Sequence, residues 1–130
     1  MTTLDALADW TTRYERAWRS NDRTDIAALF TEGAVYRWHP WESGDDAAVG
    51  REQIVKVWLE NPDDPGTWEM DCEPVAVNDE LGVVTCVISY RASPAGAART
   101  YHNVWLLRMT GDGRCADFLE YYMKEPDPAA

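Results

Sequence analysis

Two runs near the C-terminus, Arg99 to Met109 and Arg114 to Lys124, alternate in polarity and are joined by Thr110-Gly111-Asp112-Gly113. Asp-Gly between alternating, aromatic-rich runs is a strong short-range hairpin signal, because a turn matched to strand twist needs positive φ. Centring the turn on Asp112-Gly113 sets Arg108 opposite Asp117, Leu107 opposite Phe118, Trp105 opposite Glu120, Asn103 opposite Tyr122 and His102 opposite Met123. Side chains alternate across a strand, so this pairing sorts them into two faces. The first gathers Met109, Leu107, Trp105, Asn103 and Tyr101 with Phe118, Glu120 and Tyr122, and Glu120 is its only carboxylate. The second gathers Arg108, Leu106, Val104, His102 and Thr100 with Asp117, Leu119 and Tyr121, and Arg108 and Asp117 read as a solvated cross-strand ion pair. The first face is assigned to the interior. A three-residue loop with a bulge would shift the register and bring Asp117 inward instead.

A chain of 130 residues fits one domain with a single core, here residues 1–130 with an ordered part of about 4–124. It carries no apolar run long enough to span a membrane, and Met1 to Trp10 holds acids where a signal peptide would hold bases, so the expected compartment is the cytoplasm. A net charge of −11, from 23 acids against 12 bases, opposes binding to nucleic acid and to anionic membrane surfaces. Cys72, Cys86 and Cys115 show no metal-ligand spacing, and their odd number argues against a disulfide framework. They read as small core hydrophobes. Seven Trp and six Tyr are more than a chain this short needs for a plain core. Such residues fill a core, an interface or the wall of a ligand cavity.

Taken in order, residues 3–20 read as an amphipathic helix with Leu7, Thr11, Tyr14 and Trp18 inward, Thr2 and Asp5 as its capping box and Ser20-Asn21 as its end. A short helix follows from Asp22 to Phe30, then a strand from Ala34 to His39 that Pro40 stops. The polar loop to Gly50 carries Trp41 and leads to a helix from Arg51 to Glu60, with Ile54, Val57 and Trp58 inward and Asn61-Pro62 as its end. Four strands complete the chain, at about 67–77, 81–92, 99–109 and 114–123. Asn78-Asp79-Glu80 and Ser93-Pro94-Ala95-Gly96 make the first two connections, and Glu125 to Ala130 reads as a frayed tail.

Helices first and a long antiparallel meander after them is an α+β order, with the helices covering one face of the sheet. The pattern Tyr14-x-x-x-Trp18, Asp25-Ile-Ala-Ala-Leu-Phe30, His39-Pro-Trp41, Gly50-Arg-Glu-x-Ile54-x-x-x-Trp58, Tyr101-x-Asn-x-Trp105 and Phe118-x-Glu120-Tyr resembles the nuclear transport factor 2-like superfamily, and within it the SnoaL-like polyketide cyclase branch. The resemblance implies a cone: a strongly curved, mainly antiparallel sheet wrapped around three N-terminal helices, with an internal cavity. It also implies one of several roles, since the superfamily includes cyclases, ketosteroid isomerases, dehydratases and epoxide hydrolases as well as non-catalytic binding and dimerisation modules. Cyclases and epoxide hydrolases of the family carry an essential Asp near the end of the last strand, where this chain has Met123.

Among the residues themselves, Glu120 is the foremost acid/base candidate. A carboxylate in an aromatic wall is hard to ionise, which moves its pKa toward the range useful for proton transfer. The alternative is a structural role, accepting from the Trp105 indole or another N–H. Asp117 is the second carboxylate candidate, with the Arg108 ion pair as its alternative. His39, at a loop edge, is a candidate general base or a strand-end histidine bonded to backbone. Tyr14, Tyr36 and Tyr122 are candidate donors to a substrate oxygen, and Trp18, Trp38, Trp41, Trp58, Asn103 and Trp105 are candidate cavity-lining residues. His102 is assigned to the outer face. No metal or cofactor site is expected, since HxxxH, CxxC and a phosphate-binding glycine loop are missing from the sequence. The expected partners are a small, largely apolar molecule and a second copy of the chain, pairing through Val87, Val104, Leu106, Leu119 and Tyr121.

Overall fold

The computed structural model describes residues 2–127 apart from 61, 65 and 95. Three helices come first, α1 (Leu4–Ser20), α2 (Arg23–Ala27) and α3 (Arg51–Glu60), interleaved with β1 (Phe30–Arg37) and β2 (Ala48–Val49). Four long strands follow: β3 (Trp68–Asn78), β4 (Leu81–Tyr90), β5 (Arg99–Met109) and β6 (Cys115–Lys124). The sheet order is β2-β1-β6-β5-β4-β3, with only the β1/β6 pair parallel. This is the expected α+β architecture, a curved mixed sheet over three helices. The sheet does not close into a barrel, and β2 and β3 remain its two edges.

The hairpin reaches the expected register by a different turn. Gly113 N–H donates to Thr110 O at 3.1 Å, Thr110 N–H donates to Arg114 O at 2.8 Å, and Gly113 alone of the turn has a left-handed φ, of 82°. That is a three-residue loop with glycine in the αL position, which needs positive φ at one residue rather than two. By itself it would displace the pairing, and Met109 does face Cys115. A bulge at Ala116 then restores the register, so that Arg108 faces Asp117 and Trp105 faces Glu120 as expected. The Arg108–Asp117 ion pair does not form. Asp117 instead binds Arg37 of β1 at 2.8 Å, because the parallel β1 neighbour, unseen in the sequence pattern, brings a second arginine beside it.

The N-terminal elements shift in similar ways. Thr3, not Thr2, caps α1 by accepting the Ala6 N–H at 3.0 Å. Thr2 instead donates its backbone N–H to Asp79 O at 2.9 Å. The second helix ends at Ala27 and Phe30 begins β1, since Phe30 pairs with Cys115 and Leu29 O accepts the Cys115 N–H at 2.8 Å. Asn61, one of the two residues expected to end α3, lies outside the described residues, as does Ala95 of the second connection. The start of the tail is held rather than frayed: Glu125 N–H donates to Thr100 O at 2.8 Å, and its carboxylate binds His102 at 2.6 Å.

One core runs under the sheet, built on the side chains of Leu7, Trp10, Phe30, Trp68, Trp105, Leu107 and Phe118, each no more than 1% exposed. On the hairpin face assigned to the interior, Asn103, Trp105, Leu107 and Phe118 are buried, as are Val84, Cys86 and Ile88 of β4 beside them, whereas Tyr122 at the open end of that face is 42% exposed. The stripe of α1 differs: Trp10 and Ala17 are fully buried, whereas Trp18 is only half-buried. Trp10 earns its place with a hydrogen bond from Nε1 to Leu29 O at 2.9 Å, which satisfies an indole N–H that burial would otherwise strand.

Candidate functional site

Tyr14 on the inner face of α1 and Tyr36 on β1 bring their hydroxyls to 3.1 Å of each other. Their rings are fixed by Phe118, which stacks on Tyr36 at 4.3 Å and lies parallel to Tyr14 at 5.9 Å. Burial, reinforced by nearby Glu120, raises both Tyr36 and Tyr14 well above the usual phenol value; Tyr36 pushes Tyr14 further up, whereas the hydrogen bond to Tyr14 partly offsets the rise at Tyr36, and both remain protonated. They share, with Trp18 and Trp38, the walls of two adjoining cavities. One, of about 350 Å³, opens toward α3 and includes Ile54, Val57 and Trp58. The other, of about 330 Å³, opens along β4, β5 and β6 and includes Arg99, Asn103, Trp105, Glu120 and Tyr122.

Glu120 is the exceptional group in that second cavity. Strand alternation puts it on the inner face, directly opposite Trp105, and among the described residues its carboxylate makes no hydrogen bond or ion pair. Desolvation raises its pKa to about 7; proximity to His39 pulls it down and Glu42 pushes it up. The structural alternative required an indole donor, yet Trp105 Nε1 has no partner either. The Asn103 amide donates through Nδ2 to Cys86 O at 3.3 Å, while its Oδ1 is unpartnered. Glu120 is half-buried, and partial desolvation without a hydrogen-bonding partner makes its charged form harder to reach, so near neutrality it holds its proton far more than an ordinary carboxyl does.

His39 sits at the rim, not inside the cavity. Its Nδ1 lies 2.7 Å from Glu42 Oε2 and its Nε2 lies 3.1 Å from the Tyr122 hydroxyl. The other Glu42 oxygen accepts the backbone N–H groups of Trp38 at 2.6 Å and His39 at 3.0 Å. Burial of Glu42 works against ionisation, but these donors outweigh it and hold the carboxyl below the usual carboxylate value. A turn closed by Glu42 N–H on His39 O at 3.1 Å makes this geometry possible. The backbone-bonded alternative for His39 is therefore replaced by a carboxylate–imidazole–phenol chain. Glu42 was missed from the sequence, although a carboxylate three residues after a strand-end histidine, across a Pro-Trp turn, is the signal that marks it.

The remaining candidates scatter. Trp38, Asn103, Glu120 and Tyr122 also line a larger hollow of about 540 Å³ that takes in His39, Val87, His102 and Val104. Trp41 belongs to that hollow and not to the inner cavities; it is 76% exposed and stacks on His39 at 4.8 Å. Trp58 lines only the cavity toward α3, and Trp18 stacks on Trp68 at 4.5 Å. Asp117, bound to Arg37, lines none of these spaces. Arg99, also unforeseen, supplies the cation in the wall of the Glu120 cavity and lies over the Tyr90 ring at 4.3 Å. Among the described residues, no group of three or more His, Cys, Asp or Glu is placed to hold a metal ion.

The SnoaL-like domain profile matches residues 11–118. No curated protein matches the sequence at a significant level. Among solved structures, a ketosteroid isomerase-like protein from Erwinia carotovora atroseptica superposes with a TM-score of 0.63 at 20% identity, covering 95% of this chain and 97% of that one. An NTF-2-like protein of unknown function from Burkholderia xenovorans gives 0.67 at 13% identity over 97% and 88%. A protein of unknown function with a cystatin-like fold from Methylobium petroleophilum gives 0.70 at 14% identity over 98% and 82%. At these identities the likeness is one of fold.

Proposed function

The chain belongs to the SnoaL-like domain family, and on that premise we propose that it is a cofactor-free acid/base enzyme acting on a small, largely apolar ring compound that carries an enolisable carbonyl. The observation that carries the reading is the unpartnered Glu120 carboxylate, poised at about 7 in an aromatic cavity. A general base or acid is most useful when its pKa lies near the working pH. In this reading Glu120 moves a proton to or from ring carbon, while a protonated Tyr14 or Tyr36 donates to the oxygen on which charge develops. His39, oriented by Glu42, acts through Tyr122 at the rim. An isomerisation, dehydration or cyclisation would each use these parts.

The test is proton exchange. Cyclic ketones are incubated with the protein in heavy water and their α-protons followed by NMR. Wild type should accelerate exchange of at least one ring ketone. Glu120→Gln should lower that rate by about 10²–10⁴-fold, and Asp117→Asn should leave it unchanged. Binding without exchange would move the chain to the second reading, a non-catalytic small-molecule binding module of the same fold.

The outward face of β4, β5 and β6 supports a further part of the proposal. Val87, Val104 and Tyr121 are 37%, 39% and 44% exposed on it, an apolar patch that a second copy of the chain would cover. A cytoplasmic setting belongs to the same proposal and suits three unlinked thiols. No helix is long and apolar enough to cross a membrane among the described residues.

A further inference from the structure

Cys72 and Cys86 are distant in sequence motif terms, yet they are directly opposed on antiparallel β3 and β4, with their Sγ atoms 2.6 Å apart. Directly opposed residues of an antiparallel pair have Cα atoms about 4.5–5.5 Å apart, inside the range of about 4.4–6.8 Å that disulfides occupy. Strand pairing therefore already brings the two thiols within disulfide reach. Both are free thiols, and so is Cys115, whose Sγ instead meets Asp117 O at 3.3 Å on β6.

We infer that Cys72 and Cys86 are a redox-active dithiol that closes into an intrachain, cross-strand disulfide when the protein meets a low-molecular-weight disulfide such as oxidised glutathione. Accessibility orders the steps. Cys72 is half-buried and Cys86 almost wholly buried, at 1% exposed, so the Cys72 thiolate attacks first. It forms a mixed disulfide and expels one glutathione thiolate. Cys86 then loses its proton and attacks the Cys72 sulfur, expelling the second glutathione. Two electrons pass to the oxidant, and the two protein thiols give up their two protons. Hydrogen bonding to Cys72, together with burial, keeps Cys86 protonated until then, which suits the resolving rather than the attacking thiol.

The position gives the bond a consequence. β3 is an edge strand held in the sheet by β4 alone, so the link would staple that edge down. It would also fix Cys86 beside the cavity wall, where its carbonyl accepts from Asn103.

The experiment uses the unmodified chain, reduced and then incubated with oxidised glutathione. Reduced and denatured protein should take up three alkyl labels, one per cysteine. The oxidised protein should take up one, at Cys115, and its intact mass should fall by two hydrogens. Digestion at acidic residues separates the two cysteines at Asp79 and Glu80 and should recover a Cys72–Cys86 linked pair. Oxidation should raise Tm by roughly 5–10 °C, reversed by dithiothreitol. Cys115→Ser should behave as wild type does, and Cys72→Ser should neither close nor show the shift. Three labels after oxidation, stable glutathione adducts on Cys72 without closure, or covalent dimers linked through Cys72 would each overturn the inference.

Discussion

At the scale of single residues, Glu120 couples chemistry to stability through its charge. A carboxyl whose pKa rises on folding, here from 4.5 to about 7, binds its proton more tightly in the native state than in the unfolded one. Its stabilising contribution is therefore complete below about pH 4.5 and is lost as pH climbs through about 7. The full swing is on the order of 2–3 kcal/mol. Glu120→Gln should remove this dependence, so urea titrations of wild type and variant should converge near pH 5 and separate at pH 8, with the variant more stable. Glu42 makes the opposite case. It accepts two backbone N–H groups and faces the His39 ring, and Glu42→Ala should cost about 1–3 kcal/mol by leaving those donors without an acceptor. Chemical denaturation at pH 7 measures the loss. Glu120 could be named from the sequence because strand alternation places a lone acid among aromatics. Glu42 lay in a loop, where no periodicity reports what a side chain faces.

At the scale of elements, the long strands were legible because one buried face imposes a two-residue period, and a slip would turn every side chain over. The pairing of Arg108 with Asp117 through His102 with Met123 followed from that constraint despite the different turn. The two-residue β2 and the parallel β1/β6 contact were not legible, since neither a two-residue strand nor a partner far away in sequence leaves a local pattern. Where α1 crosses the sheet, the contact depends on a missing side chain. A Cβ on Gly82 would meet Leu7 Cδ1 at 2.7 Å, and Leu7 is fully buried. Gly82→Ala should destabilise by about 1–3 kcal/mol through overpacking. Leu7→Ala in the same background should then cost less than it does alone, a non-additivity that a double-mutant cycle reads directly.

At the scale of the whole molecule, the apolar outer face sets the expected assembly. Light scattering at micromolar concentration should return twice the 14.8 kDa chain mass, and Val104→Asp, which places a charge at the centre of the patch, should return the monomer without lowering Tm by more than a few degrees. Strand alternation alone let Val87, Val104 and Tyr121 be assigned to one face from the sequence, and the β4/β5/β6 register places them together. The free rim at β3 behaves quite differently from that face. Pro74 removes a ladder donor, the pairing slips between Pro74 and Ala76, and exposed Glu69, Asp71 and Glu73 alternate along the strand. An incoming strand would meet a gap in its ladder and a row of like charges. Edge-to-edge addition at β3 is thereby disfavoured, so the proposed pairing through the outer sheet face would close on itself as a pair instead of extending from this rim.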